Sequence, residues 1–237
     1  MVMMLLGMVA TAADYTNEQL DYQIVYQWGP VWKHAGDASL SIKKNSGGYV
    51  AQLTGKTRSW ADSFYPVRDT LRCQMNSKLQ PLRYDKFTHE KDYNAHDVVQ
   101  FSYYYSNTSA QCTRYRKSRT EKTTLEAKCQ AYDMVSVFYM LRNLDFNQLA
   151  STKRHTTVIF SGKMKEYLTI NYHGLEKVKL RNGTKQQAYR LSFRFTQKGG
   201  TRSSEDIDVW ISTDAQHIPL VLVGKLPIGK VKCYYTK

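Results

Sequence analysis

Apolar and polar residues alternate with a period of two along most of this chain. In residues 36–44, Ala38, Leu40 and Ile42 stand between Ser39, Ser41 and Lys43; in 187–197, Leu191, Phe193 and Phe195 stand between Ser192, Arg194 and Thr196. Antiparallel strands with one buried and one wet face produce this pattern. The same reading predicts strands over 22–28, 48–60, 68–75, 82–93, 96–106, 156–161, 163–172, 175–181, 206–212, 218–224 and 228–235. Turn signals at Asn45-Ser46-Gly47-Gly48, Asn182-Gly183 and Lys198-Gly199-Gly200 join neighbours into hairpins. One segment breaks the period. Behind Asp133 as a candidate N-cap, Met134, Val137, Phe138, Leu141 and Leu144 recur at helical spacing and predict a helix over about 132–144. An apolar helix in a β-rich chain must be covered by the sheet. The expected fold is therefore mainly β: an antiparallel curled sheet or open β-barrel wrapped around one central helix.

Composition adds a compartment and a charge. No Pro-, Gly- or Ser-rich linker divides the 237 residues, so 14–237 reads as a single β-rich domain, and 42% hydrophobic residues supply its core. Residues 1–13 read as an export signal. Its apolar run at 2–9 precedes the small residues Ala10-Thr11-Ala12, although no Lys or Arg stands before the run. No other stretch reaches the length of a membrane-spanning helix, so the protein is expected not to span a membrane. The net charge of +14, from 34 Lys and Arg against 20 Asp and Glu, favours an anionic partner such as lipid head groups or an envelope surface. It also fits strands that simply carry Lys and Arg outward. The densest basic run, 114–122, holds one Tyr among its charges and reads as a solvated hairpin or loop. Nucleic acid is not expected, because single-strand binding needs more stacking rings than this.

Candidate chemistry is sparse. Ser136 lacks a glycine-framed elbow, and His34, His89, His96, His155, His173 and His217 are scattered singly, so no catalytic residue, metal or cofactor is assigned. Cys73, Cys112, Cys129 and Cys233 allow three disulfide pairings; Cys112 with Cys129, at the ends of a polar segment, is the first candidate. Asp206 and Asp208 would share a strand face near Trp210 and raise each other's pKa if buried, which keeps a glycan- or peptide-acting hydrolase as one alternative. Asp133, Ser136, Tyr139 and Arg142 recur every three residues and form a polar stripe on the helix. Either the stripe faces a cavity, with Arg142 pairing a ligand anion, or it seats the helix. In the second case Asp133 caps with Ser136 beside it, Tyr139 bonds a sheet carbonyl, and Arg142 pairs with an acidic strand residue.

The segment from Asp133 to Arg142 resembles the best-marked motif of a bacterial envelope family known as domain of unknown function 3108. Ala35-Gly36-Asp37-Ala38, Trp210-Ile211-Ser212-Thr213-Asp214, Ile218-Pro219-Leu220 and Gly229 resemble its other landmarks, in order, from about Tyr22 to the end. Cys129 before the helix is similar to the Bacteroides version. The resemblance implies an exported β-rich protein, periplasmic in a Gram-negative bacterium, and brings no established activity with it. A more distant likeness is to periplasmic lipoprotein carriers, whose unclosed barrels hold acyl chains. The expected function is a non-catalytic binder of an apolar or amphipathic ligand such as lipid. The rival to it, beside the hydrolase, is a structural or assembly factor that binds another envelope protein through an edge strand. Ligand-facing candidates are Asp133, Ser136, Tyr139, Arg142, Trp210 and Asp214; the oligomeric state is left open.

Overall fold

A computed structural model describes residues 15–197, 200–202, 206–226 and 228–236; the expected export signal lies outside these. Eight strands fill the first half: β1 (Asn17–Trp28), β2 (Val31–Asn45), β3 (Gly48–Thr57), β4 (Arg68–Met75), β5 (Pro81–Glu90), β6 (Tyr93–Tyr104), β7 (Asn107–Arg116) and β8 (Arg119–Ala127). The second half holds β9 (Ala131–Tyr132), β10 (Arg154–Phe160), β11 (Lys165–Lys179), β12 (Lys185–Thr196), β13 (Ile207–Ser212), β14 (Pro219–Lys225) and β15 (Lys230–Tyr235). Three short helices interrupt them: α1 (Ser59–Asp62), α2 (Ser136–Arg142) and α3 (Phe146–Thr152).

All 15 strands belong to one sheet, a nearly closed, barrel-like meander. The first strand pairs with the last, Tyr22 opposite Tyr235 and Gln27 opposite Lys230, so the ladder is continuous from β1 to β15. The break falls instead in mid-chain, between β8 and β9. Side chains bridge it. Thr108 Oγ1 donates to the Cys129 carbonyl at 2.8 Å and accepts from Ala131 N at 3.0 Å, and Lys163 Nζ reaches Glu121 Oε2 at 2.7 Å. Bulges between Ile24 and Val25, Tyr172 and Gly174, and Trp210 and Ile211 bend individual strands. The expected strands 163–172 and 175–181 are thus one strand, β11. Gly174, at φ 113°, supplies a backbone conformation that other residues rarely adopt.

Two clusters make up the core. On the first half of the sheet, Ile42, Ala51, Cys73, Tyr84, Val99 and Cys112 stand opposite one another from strand to strand, each 1% exposed or less. On the second half, Leu168, Ile170, Leu191, Phe193, Val209 and Ile211 pack under Val137, Met140 and Leu141 of α2 and Phe146 and Leu149 of α3. Val135 and Tyr139 belong to the first cluster, so the α2 segment contributes to both. The expected helix over 132–144 is shorter than its apolar period: Tyr132 pairs in β9, and regular helix covers Ser136–Arg142. The period runs on because the flanking turns are buried too. α3 has no counterpart in the sequence reading. It is seven residues long, capped by the Asp145 side chain at the amides of Asn147 and Gln148 and ended by Lys153 at φ 62°, too short to display a period.

The disulfide expected between Cys112 and Cys129 is absent; all four cysteines are free thiols. Cys112 points into the core, whereas Cys129 is exposed and its carbonyl sits at Thr108. Four residue steps along β7 separate Thr108 from Cys112, about 13 Å of strand, beyond the reach of a disulfide.

Candidate functional site

The polar stripe of α2 fastens it at both ends. At the N-terminal end Asp133 and Ser136 form a reciprocal cap: Asp133 Oδ1 accepts from the amides of Val135 (2.7 Å) and Ser136 (3.0 Å), while Ser136 Oγ accepts from Asp133 N (2.9 Å). The other carboxylate oxygen accepts from Ser136 Oγ at 2.8 Å and from the Cys73 thiol on β4 at 2.9 Å. Burial pushes the Asp133 pKa up against the pull of these bonds. Burial and the adjoining Asp133 push the Cys73 thiol well above its ordinary value, which leaves it a donor and a poor nucleophile. At the C-terminal end Arg142 pairs bidentately with Glu18 of β1 at 2.6 and 2.8 Å and donates through Nε to the Gln216 carbonyl at 2.9 Å. Tyr15 lies against the guanidinium, its ring centroid 4.8 Å away. Tyr139 departs from expectation. Its ring stands edge-on to Tyr15 at 5.2 Å, and its buried hydroxyl finds no hydrogen-bond partner among the described residues.

Trp210 and Asp214 lie elsewhere. Asp214 is exposed and shapes the turn after β13, accepting from Ser212 Oγ and Gln216 N, both at 3.0 Å. That turn presents the Gln216 carbonyl to Arg142 and brings His217 Nδ1 within 2.8 Å of the Arg142 carbonyl. The late motif and the helix motif therefore meet. Trp210 alternates with Val209 and Ile211, so its ring lies on the sheet face turned away from the two longer helices.

On that face is a groove of about 600 Å³. Trp210, Val221 and Tyr234 make one cross-strand row of its floor; Val223, Lys232 and Val25 make the next, with Trp32 beyond. The tip of the β11–β12 hairpin forms the opposite wall with Val178 and Leu180, and carries Lys177, Lys179 and Arg181. Lys232 sits over the Trp32 ring at 4.4 Å; burial and the neighbouring Lys230 hold its pKa below the ordinary value. Among the described residues it has no acidic partner, nor do Lys177 and Lys179. Glu176, the acid of the lining, is engaged by Trp210 Nε1 at 2.5 Å and Arg190 at 3.6 Å. Sequence reasoning found Trp210 here and missed the rest. The signal for one wall is the strict alternation Lys177-Val178-Lys179-Leu180-Arg181; nothing local links it to Trp32 or Lys232.

The carboxylates considered for hydrolysis are separately neutralised. Asp206 is bonded by Arg194 at 2.8 and 3.1 Å, which draws its pKa down rather than up, and Asp208 meets Arg190 at 3.3 Å. No group of three or more potential metal ligands occurs among the described residues, and none of their helices is long and apolar enough to cross a membrane.

The chain is similar in fold to a β-barrel-like protein of domain of unknown function DUF1849 from Brucella abortus, with a TM-score of 0.63 over 95% of this chain and 98% of that one. The two share 10% sequence identity, so the likeness speaks for the fold alone. No curated protein matches the chain. The model of a family described as protein of unknown function, DUF3108, matches residues 21–236, and with nearly its whole length so covered the chain belongs to that family.

Proposed function

We propose that the protein is an exported, periplasmic envelope protein that binds an anionic amphiphile, such as a fatty acid or lysophospholipid, without catalysing a reaction. On this reading the ligand's apolar part lies along Trp32, Trp210, Tyr234 and Val178, and its acidic head meets Lys232, Lys177 and Lys179. The single observation that supports it is the unanswered, partly desolvated ammonium of Lys232 at the rim of an aromatic floor. A cation so placed gains from an anion that arrives with its own apolar surface. Within the same reading α2 is the peg around which the sheet curls, and its polar stripe seats the helix instead of meeting the ligand. Asp133 and Arg142 have already spent their bonds on Cys73, Ser136 and Glu18.

Mass spectrometry after denaturing extraction, on protein purified from its native envelope, tests the proposal. One anionic lipid class is expected to accompany the wild type at near-equimolar amount. A Lys177→Gln, Lys232→Gln double variant is expected to lose most of it while keeping its unfolding midpoint. Lipid-free wild-type protein, or undiminished lipid on the double variant, would overturn the reading.

A further inference from the structure

Two hairpin tips lie side by side at one end of the barrel. The β1–β2 tip carries Trp28, Val31 and Trp32; the β14–β15 tip carries Leu226 and Ile228. Gln27 stands opposite both Trp32 and Lys230, and the Tyr26 hydroxyl donates to the Ile228 carbonyl at 2.9 Å, so the tips are joined. Trp28, Val31 and Ile228 are 65, 55 and 66% exposed. Next to them α1 is held by a bond from Trp60 Nε1 to the His34 carbonyl at 2.6 Å, and just beyond it Phe64 is 77% exposed with its ring against Trp60. Single exposed apolar residues are ordinary on a protein surface. Several of them on adjoining tips make a patch that calls for an apolar partner.

The charge on the two hairpin tips has one sign, and Asp62 of the adjoining α1 is paired with Arg68 at 2.7 Å. Lys33 lies over the Trp60 ring at 4.2 Å, Lys230 and Lys232 lie over Trp32, and Lys225 stands opposite Lys230. Residues 22–36 and 215–237, which supply both tips, contain no Asp or Glu. Indole rings beside lysines suit the head-group layer of a bilayer: the ring is amphipathic, and the long lysine stem places its ammonium at the lipid phosphates. A neutral apolar partner would gain nothing from four lysines held so close together.

We propose that this end of the barrel docks on an anionic lipid bilayer, with Trp28, Val31, Phe64 and Ile228 entering the head-group region and Lys33, Lys225 and Lys230 meeting lipid phosphates. The protein sits on the membrane and does not cross it. Trp32 and Lys232 belong to both this end and the groove, so the docked molecule presents the groove mouth to the lipid. In that respect the inference deepens the ligand reading, although the docking itself does not require it.

Sedimentation with vesicles tests the surface. The protein is expected to co-sediment with phosphatidylcholine vesicles containing about one-third phosphatidylglycerol, with a blue shift of tryptophan emission, and far less with pure phosphatidylcholine. Raising salt to about 0.5 M should release it. The Trp28→Ser, Ile228→Ser double variant should partition at least about tenfold more weakly, from the apolar area it no longer buries. Lys225→Gln with Lys230→Gln should weaken binding to the anionic vesicles alone. Both pairs are exposed or half-exposed, and unchanged unfolding midpoints would show that the fold persists. Absence of sedimentation, equal binding to both vesicle types, or a Trp28→Ser, Ile228→Ser variant that binds like its parent would overturn the docking surface. Lipid recovered from the native protein despite such a failure would leave the ligand reading standing, and the converse result would separate the two in the other direction.

Discussion

Arg142 carries a full charge into a space where 1% of its side chain meets solvent, and Glu18 answers it with two bonds from a strand 124 residues away. Burial opposes the guanidinium charge, and the Glu18 carboxylate together with the Tyr15 and Tyr139 hydroxyls outweighs that opposition, so its pKa stays above the ordinary value. The partners are unequal, because Glu18 keeps 21% exposure and can be hydrated alone. Glu18→Ala should therefore cost about 3 kcal/mol of stability by stranding a buried cation. Arg142→Met, which removes the cation and keeps its apolar volume, should cost less. Urea unfolding of both variants checks this, and equal losses would refute the argument. The sequence showed the stripe of Asp133, Ser136, Tyr139 and Arg142 through its spacing alone. It could not show that the Tyr139 hydroxyl lacks a partner or that Glu18 is the partner of Arg142, because those facts lie across the fold.

Among the elements, the β10–β11 turn has an exacting fit. It crosses the break in the sheet and sets Gly162, at φ 90°, directly against the carboxylate of Asp97, which pairs with Arg114 on β7. A methyl group there would overlap Asp97 and also strain the backbone. Gly162→Ala should destabilise the protein by about 2 kcal/mol and expose the amides of β8 and β10 to hydrogen exchange before the rest of the sheet. Uniform exchange across the sheet would show that the turn does not hold the break closed. Most strands were legible, since alternation over ten or so residues is a local signal; β7, β8 and β9 were not, and the basic run 114–122, which holds the β7–β8 turn, reads only as a solvated hairpin or loop. Element ends were less so: β11 absorbs a bulge that reads as a gap, and the seven residues of α3 hold only two buried side chains.

At the scale of the whole molecule, closure rests on the pairing of β1 with β15, which joins residues about 210 positions apart. Because β1 and β15 meet in the middle of the sheet, both halves depend on that ladder. Deleting residues 230–236 removes the partner of both β1 and β14, and should abolish cooperative unfolding of the whole protein instead of fraying one edge. Near-ultraviolet circular dichroism with a urea titration checks this. A truncated protein with a sharp, native-like transition would show that the halves stand alone. The same closure brings the β1–β2 tip beside the β14–β15 tip and sets Trp32 near Trp210, so the groove and the docking end are both products of it.

By itself the sequence determined the β class, most of the strands, the presence of a short helix within 132–144 and the family, because each is written in spacings between near neighbours: every second residue for a strand, every third or fourth for a helix. The tertiary structure alone decided the Glu18 partner, the separation of Cys112 from Cys129, the break between β8 and β9, and the meeting of Trp32, Lys232 and Val178 in one groove. These depend on which distant strands pair and where bulges turn a face over. A one-residue slip in any register would move the same side chains to the opposite face, and no local pattern records that choice.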